Sequence, residues 1–156
     1  MHLAQPVTPL AILRKEIIMP LVYVTLAEGT TTLDRRTQIG DGIYRALIDV
    51  ADVPVDDRFQ VINEVPPANL IYSPDYRGFD RSPSVVFIQI FFNAGRSVHV
   101  KRRLYARIVE NLAAAGVRGD DILINLVEMA QENWSFGGGE LSYPPAAASS
   151  SPTTGS

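Results

Sequence analysis

Residues 17–29 read IIMPLVYVTLAEG, and the run after the proline sets the architecture. LVYVTLA (21–27) is a run of β-branched, aromatic and aliphatic residues closed by Glu28 and Gly29, the composition and punctuation of a strand. The chain then repeats itself. Val22-Tyr23-Val24 is answered by Val86-Phe87-Ile88, VPVDD (53–57) by VRGDD (117–121), and Glu64 at the end of FQVINE by Glu128 at the end of LINLVE, all at one offset of 64 residues. A single offset kept through three segments marks an internal duplication. The repeat begins at Pro20 or just before it, so residues 1–19 are expected to stand outside the fold as a leader or a mis-assigned start.

Each half reads as strand, helix, strand. The first strands are LVYVTLA (21–27) and SVVFIQIFF (84–92). Ile39, Ile43, Leu47 and Val50 recur at helical spacing in 33–51, as do Leu104, Ile108, Leu112 and Ala115 in 98–115. RFQVINEV (58–65) and DILINLVE (121–128) supply the second strands. A strand that returns through a helix to a parallel neighbour makes a right-handed crossover. Two such units, spanning about 20–65 and 84–128, predict an α/β (α+β) fold: a four-stranded sheet with two helices on one face. The opposite face is left with Val, Ile and Phe side chains, which oligomerisation would cover.

Composition narrows the function classes. The chain has 156 residues, 46% hydrophobic and 20% charged, enough for one domain with a real core. A net charge of -3 argues against nucleic acid and anionic membrane as partners. No apolar run approaches the roughly 20 residues that span a bilayer. Without cysteine there are no disulfides or thiolate ligands, which fits a cytoplasmic protein. His2 and His99 stand apart, so no metal and no cofactor is expected, and no phosphate-binding or dinucleotide motif is present. The Pro/Ala/Ser/Thr tail from 144 to 156 has the composition of a disordered segment.

Five residues carry possible chemistry, each beside a plainer reading. Pro20 heads the first strand, where proline is also ordinary strand-edge punctuation. Arg96, in the Gly-containing turn FFNAGRS (91–97), could clamp a carboxylate or simply be solvated. Asp57 precedes the second strand, where a turn or capping role is equally open. Trp134 and Phe136 lie two apart in NWSFGGG and share one face if the chain is extended, walling a pocket or plugging an oligomer contact.

Taken in order, MPLVYVTLAEG, VPVDDRFQVINE, GFDRS, VFIQIFFNAGRS and NWSFGGG resemble the tautomerase superfamily over about residues 19–140, nearest its double-length members around malonate semialdehyde decarboxylase. The resemblance implies duplicated β-α-β units, a homotrimer, and catalysis by an amino-terminal proline. It therefore implies that Met19 starts the functional chain and that Pro20 carries a free amine. It assigns Pro20, Arg96 and Asp57 as catalytic residues and Trp134 and Phe136 as substrate-binding ones. The substrate class implied is a small carboxylate-bearing carbonyl compound. In the decarboxylase, two arginines stand two apart in the loop after the third strand; here the second falls on Arg96 but the first on Ala94. In an extended loop both would point to one side. The missing arginine favours a keto–enol tautomerase of 2-oxo acids, phenylpyruvate-like, over a decarboxylase using protonated Pro20. A non-catalytic duplicated binding protein is the remaining alternative, should residues 1–19 stay attached.

Overall fold

A computed structural model describes residues 19–143; the expectations for the rest of the leader and for the 144–156 tail lie outside them. The described elements are β1 (Leu21–Ala27), α1 (Leu33–Ala51), β2 (Phe59–Val65), β3 (Val86–Asn93), α2 (Val98–Ala114) and β4 (Ile122–Met129). Four short 3₁₀ turns punctuate the connections. The expected β-α-β duplication is present. Strand order is β2-β1-β3-β4, with β1/β2 and β3/β4 parallel and β1/β3 antiparallel. The two units thus meet back to back across an antiparallel centre, where Val22 faces Ile90 and Val24 faces Ile88.

The local causes are legible in each element. Thr32 caps α1, its hydroxyl accepting from the Arg35 N–H at 3.2 Å, and Asp34 sits where the helix dipole favours an anion. Ser97 does the same for α2, accepting from Val100 N–H at 3.2 Å. Ile39, Ile43 and Leu47 of α1 and Leu104, Ile108 and Leu112 of α2 are buried against Val22, Val24, Leu26, Val86, Ile88, Ile90 and Phe92. Every second residue of the central strands therefore faces the helices, as the pleat requires. Gly42 allows the helices to approach closely: a Cβ there would stand 3.0 Å from Leu112 Cδ1.

The boundaries differ slightly from the sequence reading. β4 starts one residue late because Asp121 closes a 3₁₀ turn, Gly119–Asp121. α2 stops at Ala114 because Gly116, at φ +77°, turns the chain out of the helix. The helices correspond at an offset of 65 rather than 64, α1 starting at Leu33 and α2 at Val98, with Ile43 matching Ile108. The duplicated glutamates make equivalent ion pairs: Arg36 Nη1 to Glu64 Oε1 at 2.8 Å, and Lys101 Nζ to Glu128 Oε1. On the face away from the helices, Phe59, Val61 and Leu123 are exposed, and Leu21, Tyr23, Phe87 and Phe91 are half-covered. This is the bare apolar face that the repeat predicted.

Candidate active site

All five singled-out residues gather at one end of the sheet. Pro20 is buried directly before β1. The ladder pairs Leu21 with Phe91 on one side and with Phe59 on the other. One step further along, Pro20 stands level with Phe92 and Arg58, with Arg96 and Asp57 just beyond. Pro20 lines a cavity of about 190 Å³ with Met19, Leu21, Phe59, Trp134 and Phe136. The Trp134 and Phe136 rings are 5.5 Å apart at 34°, so the i, i+2 pair does present a shared aromatic wall. Phe136 packs edge-on against Tyr143, at 5.6 Å.

Arg96 lines a neighbouring cavity of about 410 Å³ with Ala51, Asp52, Asn93, Ala94, Ser97 and Val100. Its Nη1 donates to the Asn93 carbonyl oxygen at 3.0 Å and its Nη2 to the Ala51 carbonyl oxygen at 3.2 Å. The guanidinium also lies over the Phe92 ring, 4.1 Å from its centroid. The chain bends at Ala94, and Gly95 adopts φ +126°, a backbone conformation that favours glycine. Ala94 and Arg96 both line this cavity. Glu128 holds the loop from below: one oxygen accepts from Gly95 N–H at 3.1 Å and the other from Lys101. The Lys101 hydrogen bond, aided by Gly95 and the positive charges of Lys101 and Arg96, keeps the Glu128 carboxyl below its usual pKa.

Asp57 is 7% exposed, and neither carboxylate oxygen has a hydrogen-bond partner among the described residues. Desolvation pushes its pKa from 3.8 up to about 6. The duplication supplies an internal control. Asp121, its counterpart 64 residues on, is 2% exposed and fully engaged. It accepts from Ser82 N–H at 2.7 Å and from the Ser82 hydroxyl at 2.8 Å. The same VxxDD motif thus yields a hydrogen-bonded aspartate in one half and, among the described residues, a buried one without a hydrogen-bond partner in the other.

A second difference separates the halves. A cavity of about 570 Å³ lies between the N-terminus of α1 and the C-terminus of α2, the counterpart of the Arg96 cavity. There Arg35 donates to the carbonyl oxygens of Ala115 and Gly116, at 2.8 and 2.9 Å. Its lining holds neither a strand-heading proline nor an orphaned carboxylate. Pro20 shares a cavity with Trp134 and Phe136, whereas Arg96 lines the adjoining one and Asp57 lines neither. Two contributors escaped the sequence reading. Phe59 forms part of the Pro20 cavity, and Asn93, 6% exposed, links the cavities by accepting from Trp134 Nε1–H at 2.7 Å. An asparagine closing an apolar strand was the visible sign, but its burial was not. Among the described residues no group of three or more His, Cys, Asp or Glu side chains could hold a metal ion, and no helix is long and apolar enough to cross a membrane.

Comparison with known proteins converges on one family. Two family models, each described as a tautomerase enzyme, match residues 57–137 and 20–79. The chain is 30% identical to "Probable tautomerase YusQ" of Bacillus subtilis (strain 168) over 78% of its own length and 95% of that protein's. Among solved structures it is 39% identical to FG41 malonate semialdehyde decarboxylase inhibited by 3-bromopropiolate, with a TM-score of 0.74 over 79% of this chain and 93% of the other. It is 28% identical, at a TM-score of 0.72, to a malonate semialdehyde decarboxylase described for its decarboxylase and hydratase activities; 78% of this chain and 93% of that one are covered.

Proposed function

The chain belongs to the tautomerase superfamily, and on that premise we propose that it is a keto–enol tautomerase of small 2-oxo acids, with Pro20 as general base. The observation that carries this reading is the gathering at one sheet end of a buried proline, an aromatic-walled cavity and a carboxylate without partners among the described residues. The reading requires a functional chain that begins at Pro20. Joined to Met19, the Pro20 nitrogen is an amide without basicity; freed, it is a secondary amine on a rigid ring.

The apolar lining of Leu21, Phe59, Trp134 and Phe136 disfavours the ammonium form, which lowers the amine's pKa toward the range where a base is most effective. The neutral amine takes a proton from the carbon beside the 2-oxo group. The C–H electron pair forms the carbon–carbon double bond, and the carbonyl π pair moves onto oxygen. Arg96 meets the carboxylate and stabilises the enolate charge. The protonated amine then delivers the proton to that oxygen, completing the enol and restoring the base. Asp57, titrating at about 6, exchanges protons near neutral pH at the same sheet end. Trp134 and Phe136 take the apolar end of the substrate and exclude water. We further infer a homotrimer, in which the bare face carrying Phe59, Val61 and Leu123 is covered by other copies of the chain.

The 39% identity to a malonate semialdehyde decarboxylase favours a second reading, decarboxylation with Pro20 protonated and polarising the aldehyde carbonyl as carbon dioxide leaves. Ala94 weighs against it. Decarboxylation needs the breaking bond held across from the carbonyl π-system, and a single arginine leaves the carboxylate freer to turn.

Two measurements test the proposal together: intact mass of active protein from the native host, and 2-oxo acid enol–keto turnover by chains starting at residue 20. The expected results are a chain beginning at Pro20 and a hundredfold or greater loss of turnover in Pro20→Ala, about 3 kcal/mol of barrier. Undiminished turnover in Pro20→Ala, or an active chain retaining residues 1–19, overturns it.

A further inference from the structure

The hydrogen bonds of Asn93 point to a role that none of the singled-out residues fills. Asn93 is the last residue of β3, paired with Met129 at the end of the β3/β4 ladder. The next residue, Ala94, donates its N–H to the Met129 carbonyl at 3.0 Å, so the main chain is pinned on both sides of the strand end. From this fixed point two bonds diverge. The carbonyl oxygen accepts from Arg96 Nη1 at 3.0 Å, and the side-chain oxygen accepts from Trp134 Nε1–H at 2.7 Å. One buried residue therefore holds the arginine of one cavity and the aromatic wall of the other.

We propose that Asn93 is a positioning residue that fixes the separation between the Arg96 loop and the Trp134 wall, and thereby sets which length of 2-oxo acid the site accepts. The inference rests on the reading that Arg96 and the Pro20 cavity serve a single substrate. The Arg96 end is set by the main chain and survives a change of side chain at 93. The wall is set by the amide group and does not: without an acceptor, the half-buried indole N–H loses its partner and turns toward water. An aryl-bearing substrate that rests on the wall feels the change, whereas a short aliphatic one held through its carboxylate does not. Trp134 follows the 3₁₀ turn Gln131–Asn133, and its main chain is held by the Ser142 N–H donating to its carbonyl oxygen at 3.1 Å, so losing the Asn93 bond changes the seat of the indole and not the course of the backbone.

Trp134 is the sole tryptophan, so its fluorescence reads the link directly in ligand-free protein, whatever the catalytic outcome. In Asn93→Ala the emission is expected to shift to the red and acrylamide quenching to rise at least twofold. Asn93→Asp, which keeps an acceptor oxygen, is expected to preserve both. In kinetics, Asn93→Ala raises KM for phenylpyruvate about tenfold, while KM for a short aliphatic 2-oxo acid and both kcat values stay within threefold. Trp134→Phe keeps a ring but removes the N–H, and on that background Asn93→Ala adds less than twofold. Unchanged fluorescence in Asn93→Ala overturns the proposal, as does an equal KM rise for both substrates or an equal penalty in both backgrounds. If Asn93→Ala does not fold, a Trp134→Phe protein with unaltered preference between the two substrates overturns it as well. A wild type without turnover defeats the tautomerase reading and the selectivity claim with it, while the fluorescence arm still decides whether Asn93 positions Trp134.

Discussion

Replacing Asp57 by asparagine should flatten a pH dependence of stability that runs opposite to ordinary acid denaturation. The Asp57 carboxyl titrates at about 6 in the folded chain, against an ordinary value of 3.8. A shift of roughly two units corresponds to about 3 kcal/mol of preference for the neutral form. Because the folded pKa is the higher one, the native state binds more protons than the unfolded state between about pH 4 and 6. Stability is therefore lost as pH rises through that window, and the full deficit stands above the folded pKa. Asparagine is neutral throughout, so the difference in unfolding free energy between Asp57→Asn and wild type should grow by up to about 3 kcal/mol from pH 3.5 to 7.5. The buried amide adds an offset of about 1–3 kcal/mol for its own lost hydration, but that offset does not vary with pH. Asp121→Asn is the control. It takes an acceptor from one of the two Ser82 donors and should destabilise by about 1–3 kcal/mol at neutral pH. Urea denaturation of the 156-residue chain at fixed protein concentration, repeated at half-unit pH steps, measures all three proteins. A flat difference curve for Asp57→Asn refutes the claim that its carboxylate is buried without compensation.

Three further outcomes are expected. Ala94→Arg, which places a second guanidinium in the Arg96 cavity, should raise malonate semialdehyde decarboxylation about ten- to a hundredfold, equivalent to roughly 1.5–3 kcal/mol of charge-assisted contact, and Arg96→Ala should depress both reactions; a wild type that already matches Ala94→Arg in steady-state decarboxylation makes the missing arginine irrelevant. Glu128→Gln removes the carboxylate that receives Lys101 and Gly95, so KM for 2-oxo acids should rise severalfold through the loosened loop. The Glu128 pKa is lowered on folding, so its contribution is present above the ordinary carboxylate range and is lost as pH falls through the lowered value; Glu128→Gln should accordingly show a shallower acid limb in thermal denaturation, and an identical limb contradicts the pairing. Sedimentation equilibrium should give a trimer in which Phe59→Glu or Leu123→Glu on the bare face lowers the mass toward the monomer, and a stable wild-type monomer at micromolar concentration rules the assembly out.

The sequence by itself determined the β-α-β duplication and the residues that face inward. Period and punctuation are local quantities, carried in windows of about ten to twenty residues, and the repeat doubled each of them. Ile39, Ile43, Leu47, Leu104, Ile108 and Leu112 are buried as their spacing requires, and Trp134 and Phe136 share a wall as alternation requires. The tertiary structure decided that the halves join antiparallel through β1 and β3, since strand order depends on long-range pairing that no local window records. It also placed Arg96 and the Trp134 wall in two cavities, with Asn93 bonded to both residues. The two VxxDD motifs mark that limit most clearly. They read alike, yet Asp121 is satisfied by Ser82, 39 residues away in the chain, and Asp57 has no partner among the described residues. Burial and hydrogen bonding are properties of neighbours in space, and those neighbours arrive only when the chain has folded.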